Sequence, residues 1–318
     1  MAPRIPGLVF LFPGQGSQAA GMGKELAFNH IVARRTFEEA DEALGYSLST
    51  LCFEGPDEKL RLTEITQPAI LAVSIAVTRV LAEKGIVPSF VAGHSLGEYS
   101  AHVAAGTLSF ADAVRTVRNR GKYMQEAVPV GVGAMAAILA LSIDQIRAAC
   151  NEAVAGLPGQ VCEPANINSS GQVVISGSKA AVERAAELCK QKGAKRAVML
   201  PVSAPFHCSL MRPAQDRLAD DLHAATFNTP EVPVMCNIEA VAVCDAATAR
   251  DTLIRQVTGA VQWETSMRAL IALGANQFLE AGPGSVLTGL LRQIDKAQIC
   301  VNVDNEATLQ KAKAHLLK

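Results

Sequence analysis

The sequence has almost no excess of charge of one sign: 29 Lys and Arg stand against 30 Asp and Glu in 318 residues, a formal net charge of −1. A chain that wraps or tracks a polyanion carries a clear basic surplus, so a nucleic-acid-binding role is excluded. Mean hydropathy is +0.21, but Ala, Val and Leu are dispersed. No uninterrupted apolar run approaches the length of a membrane span, about 18 residues or more. The opening Met1-Ala-Pro-Arg-Ile-Pro-Gly7 lacks the apolar region and small-residue cleavage site of a secretory signal, so a cytoplasmic protein is expected. The eight cysteines, at 52, 150, 162, 189, 208, 236, 244 and 300, lie far apart with no CxxC. That excludes a zinc ribbon or redox dithiol and predicts buried thiols. Walker A, HExxH and EF-hand patterns, repeats, low-complexity tracts and long linkers are also missing.

What is present is a core-forming composition, 49% hydrophobic against 19% charged, unlike the signature of disorder. Leu8–Phe12 is a continuous apolar run stopped by Pro13-Gly14, which predicts a buried strand entering a glycine-rich turn. Ser89–Ala92 before Gly93, and Gln277–Ala281 before Gly282-Pro-Gly284, repeat the pattern. A helix is expected over Ala69–Lys84, apolar at 70, 71, 73, 77, 80 and 81, with Gly85 as its C′ residue. Strands alternating with helices predict an α/β fold with a parallel sheet.

The pattern changes between 128 and 202. Strands over Ala134–Leu141, Val161–Asn166, Gln172–Ser176 and Ala194–Val202, with helices over Ser142–Ala155 and Lys179–Lys192, give the order βαββαβ of a ferredoxin-like unit. Ser142 and Gln145 have capping-box spacing, and Gly193 sits at a C′ position. The expected organisation is a large α/β domain of residues 1–127 and 203–318 with a small domain, 128–202, inserted into it.

Gly93-His-Ser95-Leu-Gly97 matches GxSxG between a predicted strand and a helix over Glu98–Ala105, the context in which a serine is held on a sharp turn as a nucleophile. There its Oγ lies at a helix N-terminus, where free N–H groups favour developing negative charge. A serine needs a base, and the histidines are 30, 94, 102, 207, 223 and 315. His94 points away from its neighbour at an elbow, and His102 lies one helical face away. His207 follows Pro201-Val-Ser-Ala-Pro205-Phe206, a proline-pinned loop at the expected domain junction, where clefts form. Arg120 lies on a helix that Ser109 caps; directed inward, it needs an anionic partner. Gln256, by propensity alone, reads as a helix-surface residue. No aspartate beyond Ser95 stands in a triad motif, which leaves a dyad oriented by amide or backbone groups as open as a triad. Gly14-Gln-Gly16-Ser-Gln-Ala19 also fits a dinucleotide-binding fingerprint, with Glu38, Glu39 and Asp41 downstream. Gly21 and Gly23, however, interrupt the helix such a motif requires.

Phe12-Pro-Gly-Gln-Gly-Ser-Gln18, Gly93-His-Ser-Leu-Gly-Glu-Tyr-Ser100, Arg120-Gly-Lys-Tyr-Met-Gln125, Ala165-Asn-Ile-Asn168 with Gln172-Val-Val-Ile-Ser-Gly177, Ala204-Pro-Phe-His207, Val261-Gln-Trp263 and Glu280-Ala-Gly-Pro-Gly284 follow one another along nearly the whole chain. In that order they resemble the malonyl-CoA:acyl-carrier-protein transacylases of fatty-acid synthesis and the related acyltransferase domains of polyketide synthases. The resemblance implies a hydrolase-like α/β core with an inserted ferredoxin-like subdomain. It implies Ser95 as nucleophile, His207 as general base, and the backbone N–H groups of Gln15 and Leu96 as oxyanion hole. Arg120 would hold the malonyl carboxylate and Gln256 would orient His207 through its carbonyl, with Met124 and Phe206 also at the substrate. Phe206 resembles the malonyl-selective pattern; acyltransferases that accept methylmalonyl usually carry a serine there.

The implied reaction is ping-pong transfer of malonyl from malonyl-CoA to the pantetheine thiol of acyl carrier protein. The protein would be a cytoplasmic monomer without metal, bound cofactor, nucleic acid or membrane, its phosphopantetheine supplied by the partner. Alternatives are an acyltransferase serving a polyketide line in trans or a malonate decarboxylase, a serine esterase or thioesterase, and a dinucleotide-binding protein. An acidic carrier predicts a local basic patch, assigned to Lys190, Lys192, Lys195 and Arg196.

Overall fold

A computed structural model describes residues 3–202 and 204–317. Met1, Ala2, Lys318 and Ser203, the last of these in the loop before His207, lie outside the described residues. The strands are β1 (Leu8–Phe12), β2 (Phe90–Gly93), β3 (Gly133–Leu139), β4 (Cys162–Ser169), β5 (Gln172–Ser178), β6 (Arg196–Met199), β7 (Val234–Met235), β8 (Ala242–Val243), β9 (Gln277–Ala281) and β10 (Cys300–Val303). They form two sheets. The larger has the order β10-β9-β1-β2-β7-β8, parallel except for the β7–β8 hairpin at one edge. The fold class is α/β, as expected.

β1 shows why this sheet forms. All five of its residues are fully buried, and alternate side chains go to opposite faces. Leu8, Phe10 and Phe12 pack with the helix Thr63–Glu83, while Val9 and Leu11 join Trp263, Phe278 and Leu291 on the other face. Burying each large side chain of this kind stabilises the fold by roughly 1.5–3 kcal/mol. The sheet order reverses at β1, whose neighbours β2 and β9 are reached by crossovers in opposite directions. The cavity described below lies beyond the carboxyl ends of β1 and β2, lined by Gln15 after the one and Ser95 after the other, and the carboxyl end is where sites form in parallel sheets.

The smaller sheet is antiparallel, order β4-β5-β3-β6. Helices Ile143–Val154 and Lys179–Gln191 cover one face through Ile138, Ile146, Ile175 and Val182. Ser142 Oγ accepts from the Gln145 N–H, and Gly193 takes φ 102° after the second helix. Its other face, through Met135, Ala165 and Val174, turns toward Leu200, Val202 and Phe206. Bonds from Ile167 N–H to Val261 O and from Val261 N–H to Ala165 O, each 2.8 Å, stitch β4 to the large unit.

Several boundaries differ from expectation for identifiable reasons. β6 ends at Met199 because Pro201 has no N–H for the ladder. The helix expected from Ala69 begins at Thr63, with Pro68 in its second turn. One backbone bond is lost there, while the helix keeps its packing against the sheet. This helix is also long and apolar enough to cross a membrane by composition, with mean hydropathy 1.6 over its most apolar window, but 78% of that window is buried inside the protein. The polar residues Thr66, Gln67 and Ser74 break its apolar run in the sequence. Of the eight thiols six are buried, Cys300 is half-buried and Cys244 is exposed.

His102 is fully buried, and neither ring nitrogen meets a protein partner among the described residues. Burial pushes its pKa down from 6.5 to about 3. The unfolded chain thus binds a proton that the folded chain refuses, so this stability is present above pH 6.5 and is lost as pH falls toward 3. His102→Leu is expected to raise stability at neutral pH by about 1–3 kcal/mol, because an unpaired polar group leaves the core. It should also blunt the acid loss. Thermal melts from pH 7 downward check this, and an unchanged or lower Tm would count against it.

Candidate active site

The turn after β2 is shaped by its glycines. A Cβ on Gly93 would lie 1.9 Å from the Gly97 carbonyl, and one on Gly97 would lie 2.0 Å from the Phe12 carbonyl oxygen. Only glycine allows strand, turn and helix to approach so closely. Between them Ser95 has φ 53°, left-handed for an L residue, a cost of about 1–2 kcal/mol that neighbouring contacts must offset. Helix Gly97–Ala104 starts immediately after it.

His207 is brought to Ser95 from 112 residues away, Nε2 to Oγ at 2.6 Å. It also takes a positive φ, 58°, and is 3% exposed. Nδ1 faces two carbonyl oxygens, Gln256 O at 3.0 Å and Gly259 O at 3.1 Å. Carbonyls only accept, so Nδ1 carries the proton and the Nε2 lone pair faces the serine hydroxyl. Burial, and next the charge of Arg120, push the His207 pKa down to about 3, so the ring rests neutral. Among the described residues no carboxylate hydrogen-bonds the imidazole; the carbonyl oxygens of Gln256 and Gly259 orient it.

Arg120 comes from helix Phe110–Ala127, capped by Ser109, which accepts from the Asp112 N–H. It is 2% exposed. One terminal nitrogen donates to Gln67 Oε1 at 2.7 Å, and the other to Gln256 Oε1 at 2.9 Å and Ser95 Oγ at 3.2 Å. Its guanidinium lies over the Tyr99 ring at 5.6 Å. Among the described residues its hydrogen-bond partners are neutral, and the Glu98 carboxyl acts on it only through its charge, which suits an arriving anion. Gln256 is fully buried, not the surface glutamine that propensity predicts. Its Nε2 donates to Ser95 O and to Glu98 Oε2, at 2.8 and 2.7 Å. Glu98, itself fully buried, has its pKa raised to about 7 by desolvation.

Gln15 and Leu96 line the same cavity as Ser95. Among the described residues neither backbone N–H donates to a protein acceptor. No helix begins at Gly14–Ala19; the next one starts at Lys24, so the dipole that a dinucleotide phosphate would need is not presented there. The cavity, about 150 Å³, joins these polar groups to an apolar wall of Met124, Met135, Leu200, Val202 and Phe206. The structure thus brings together all eight residues singled out for the site. His94 sits beside them, its Nε2 2.8 Å from Asn168 Oδ1 and its ring 5.4 Å from that of Trp263.

Gln67, Glu98, Asn168 and Asn237 carry no role assigned from the sequence, although Glu98 and Asn168 stand within the motifs quoted above. The available signal was weak: polar residues within otherwise apolar segments. Of the basic patch, Lys190 pairs with Glu187 at 3.3 Å and Lys192 with Glu152 at 2.9 Å. Lys195 and Arg196 are exposed and in no ion pair among the described residues.

The family described as acyl transferase domain matches residues 9–310. A malonyl CoA-acyl carrier protein transacylase of Salmonella typhimurium is 52% identical over 286 residues, 90% of this chain and 92% of that protein. The crystal structure of an acyl carrier protein S-malonyltransferase from Vibrio cholerae superposes with TM-score 0.94 at 48% identity, covering 96% of this chain and all of the other. A malonyl-transacylase in complex with its type II polyketide synthase acyl-carrier protein superposes with TM-score 0.93 at 47% identity, covering 97% and 99%.

Proposed function

The chain belongs to the acyl transferase domain family, and from that premise we propose that it transfers malonyl from malonyl-CoA to the pantetheine thiol of an acyl carrier protein through an ester on Ser95. The observation that carries this reading is one cavity in which Ser95 Oγ lies 2.6 Å from a neutral His207 and 3.2 Å from a buried arginine with only neutral partners. A nucleophile and base serve any acyl transfer; the arginine adds preference for an acyl group that ends in a carboxylate.

Ser95 Oγ attacks the thioester carbonyl as its proton passes to His207 Nε2, and the N–H groups of Gln15 and Leu96 receive the oxyanion. The C–S bond breaks, and coenzyme A leaves with the proton from His207. The carrier thiol then gives its proton to His207, attacks the ester and displaces Ser95 Oγ, which regains the proton. Gln256 and Gly259 carbonyls, in place of a carboxylate, hold the ring and oppose the charge it gains. Arg120 binds the malonyl carboxylate, Met124 and Phe206 bound the acyl pocket, and Gln256 fixes both arginine and imidazole. Coenzyme A enters as substrate and the pantetheine belongs to the carrier, so no resident cofactor has a task.

We further infer a division into 1–127 with 203–318 and an inserted 128–202 unit, and a cytoplasmic monomer. Incubation with malonyl-, methylmalonyl- and acetyl-CoA, read by intact mass, tests the function. A malonyl adduct that persists in water and discharges to holo carrier protein is expected. Rapid loss of the adduct to water would instead favour a thioesterase.

A further inference from the structure

We propose that Asn237 is a positioning residue that holds the nucleophile turn in its reactive shape; the inference rests on the transacylase reading above. Asn237 lies two residues beyond β7, is 1% exposed and stands behind the cavity wall, bonded to Ser95 and not itself among the lining residues. Its carboxamide spans the turn. Oδ1 accepts from the Ser95 N–H at 2.7 Å, and Nδ2 donates to the Gly93 carbonyl at 2.7 Å. The orientation of the amide is fixed by chemistry, since a backbone N–H only donates and a carbonyl only accepts.

The main chain of Asn237 is anchored as firmly as its side chain. Its N–H donates to Glu98 Oε2 at 3.1 Å, and its carbonyl accepts from the Gln262 N–H at 2.8 Å. Glu98 Oε2 is the same atom that receives Gln256 Nε2 at 2.7 Å. One buried carboxylate therefore sets both the residue bracing the serine and the residue holding Arg120 and His207. The brace also explains which groups remain for the oxyanion. Asn237 consumes the Ser95 N–H, leaving the Leu96 N–H as the donor at the elbow. Ser95 sits at φ 53°, a conformation that persists only while its surroundings impose it.

A carboxamide is the side chain that accepts and donates across this gap at once. Asn237→Ala removes both bonds, while Asn237→Asp keeps the volume and the acceptor but sets oxygen against the Gly93 carbonyl. Both variants are expected to lower kcat for malonyl transfer at least about tenfold, because displacing a reacting atom by about 1 Å costs on the order of 10²-fold. KM for malonyl-CoA should stay within about threefold, since the residue touches no substrate. Labelling of Ser95 by a fluorophosphonate, measured per folded molecule, should slow in parallel. A merely structural role would lower Tm and leave that rate unchanged; wild-type labelling in folded Asn237→Asp, or a risen KM with intact kcat, would overturn the proposal. If the wild type takes the fluorophosphonate but no malonyl, the transacylase reading fails, and the labelling rates still decide the role of Asn237.

Discussion

Ser95→Ala protein is expected to form no malonyl adduct and to lose transfer by on the order of 10⁴-fold or more, the scale seen when the nucleophile of such a unit is removed. The reason is local. Among the described residues Ser95 Oγ is the hydroxyl that faces His207 Nε2, at 2.6 Å, so the proton can leave as this oxygen takes the acyl group. The substitution deletes one oxygen at a half-exposed position, and the fold should survive. His207→Ala should cost a similar factor, and the double variant little more than either alone, because the two act as one device. Intact mass and steady-state transfer to holo carrier protein measure all three. Retention of more than about a hundredth of wild-type kcat/KM in Ser95→Ala would remove the serine from the mechanism.

Arg120→Ala should lose malonyl transfer by about 10²- to 10³-fold, the range of about 2–5 kcal/mol typical for truncating one partner of a buried hydrogen-bonded charge pair. Acetyl transfer should be kept or gained. An acetyl group brings the desolvated guanidinium no carboxylate partner and leaves it the neutral oxygens of Gln67, Gln256 and Ser95, so wild type discriminates against it. Without the arginine that penalty vanishes. The contrast between the two substrates is the measurement. Equal losses on malonyl- and acetyl-CoA would show that Arg120 supports the fold around Ser95 and Gln256, not the carboxylate. The loss on malonyl should appear in kcat/KM for acylation, with the carrier step following it.

Much of the fold was legible because its signals are local. Leu8–Phe12 reads as a doubly buried strand from composition alone, and it is one. Ser109, Gly85 and Gly193 mark helix ends through capping chemistry that depends on neighbours in sequence, and the structure places them there. The order βαββαβ followed from alternating periods, its last strand ending early before Pro201, while in the large unit the helix around Pro68 begins earlier than its apolar run. GxSxG was legible for the same reason: a strand, a turn that excludes any Cβ, and a helix within a few residues.

The sequence by itself determined the α/β class, the nucleophile turn and, through the order of its motifs, the family. It could not show that Gln256 is buried, that Asn237 spans the serine turn, or that Glu98 joins the two, since these contacts bridge 139 to 161 residues. Helical periodicity reports only which face a residue lies on, and a polar residue on an inner face looks like an error until its partner is known. Only the tertiary structure brings Arg120 to Ser95, strips it of water and surrounds it with neutral acceptors. Its demand for an anion arises from that desolvation, a property of the folded neighbourhood which the residue's own segment does not carry.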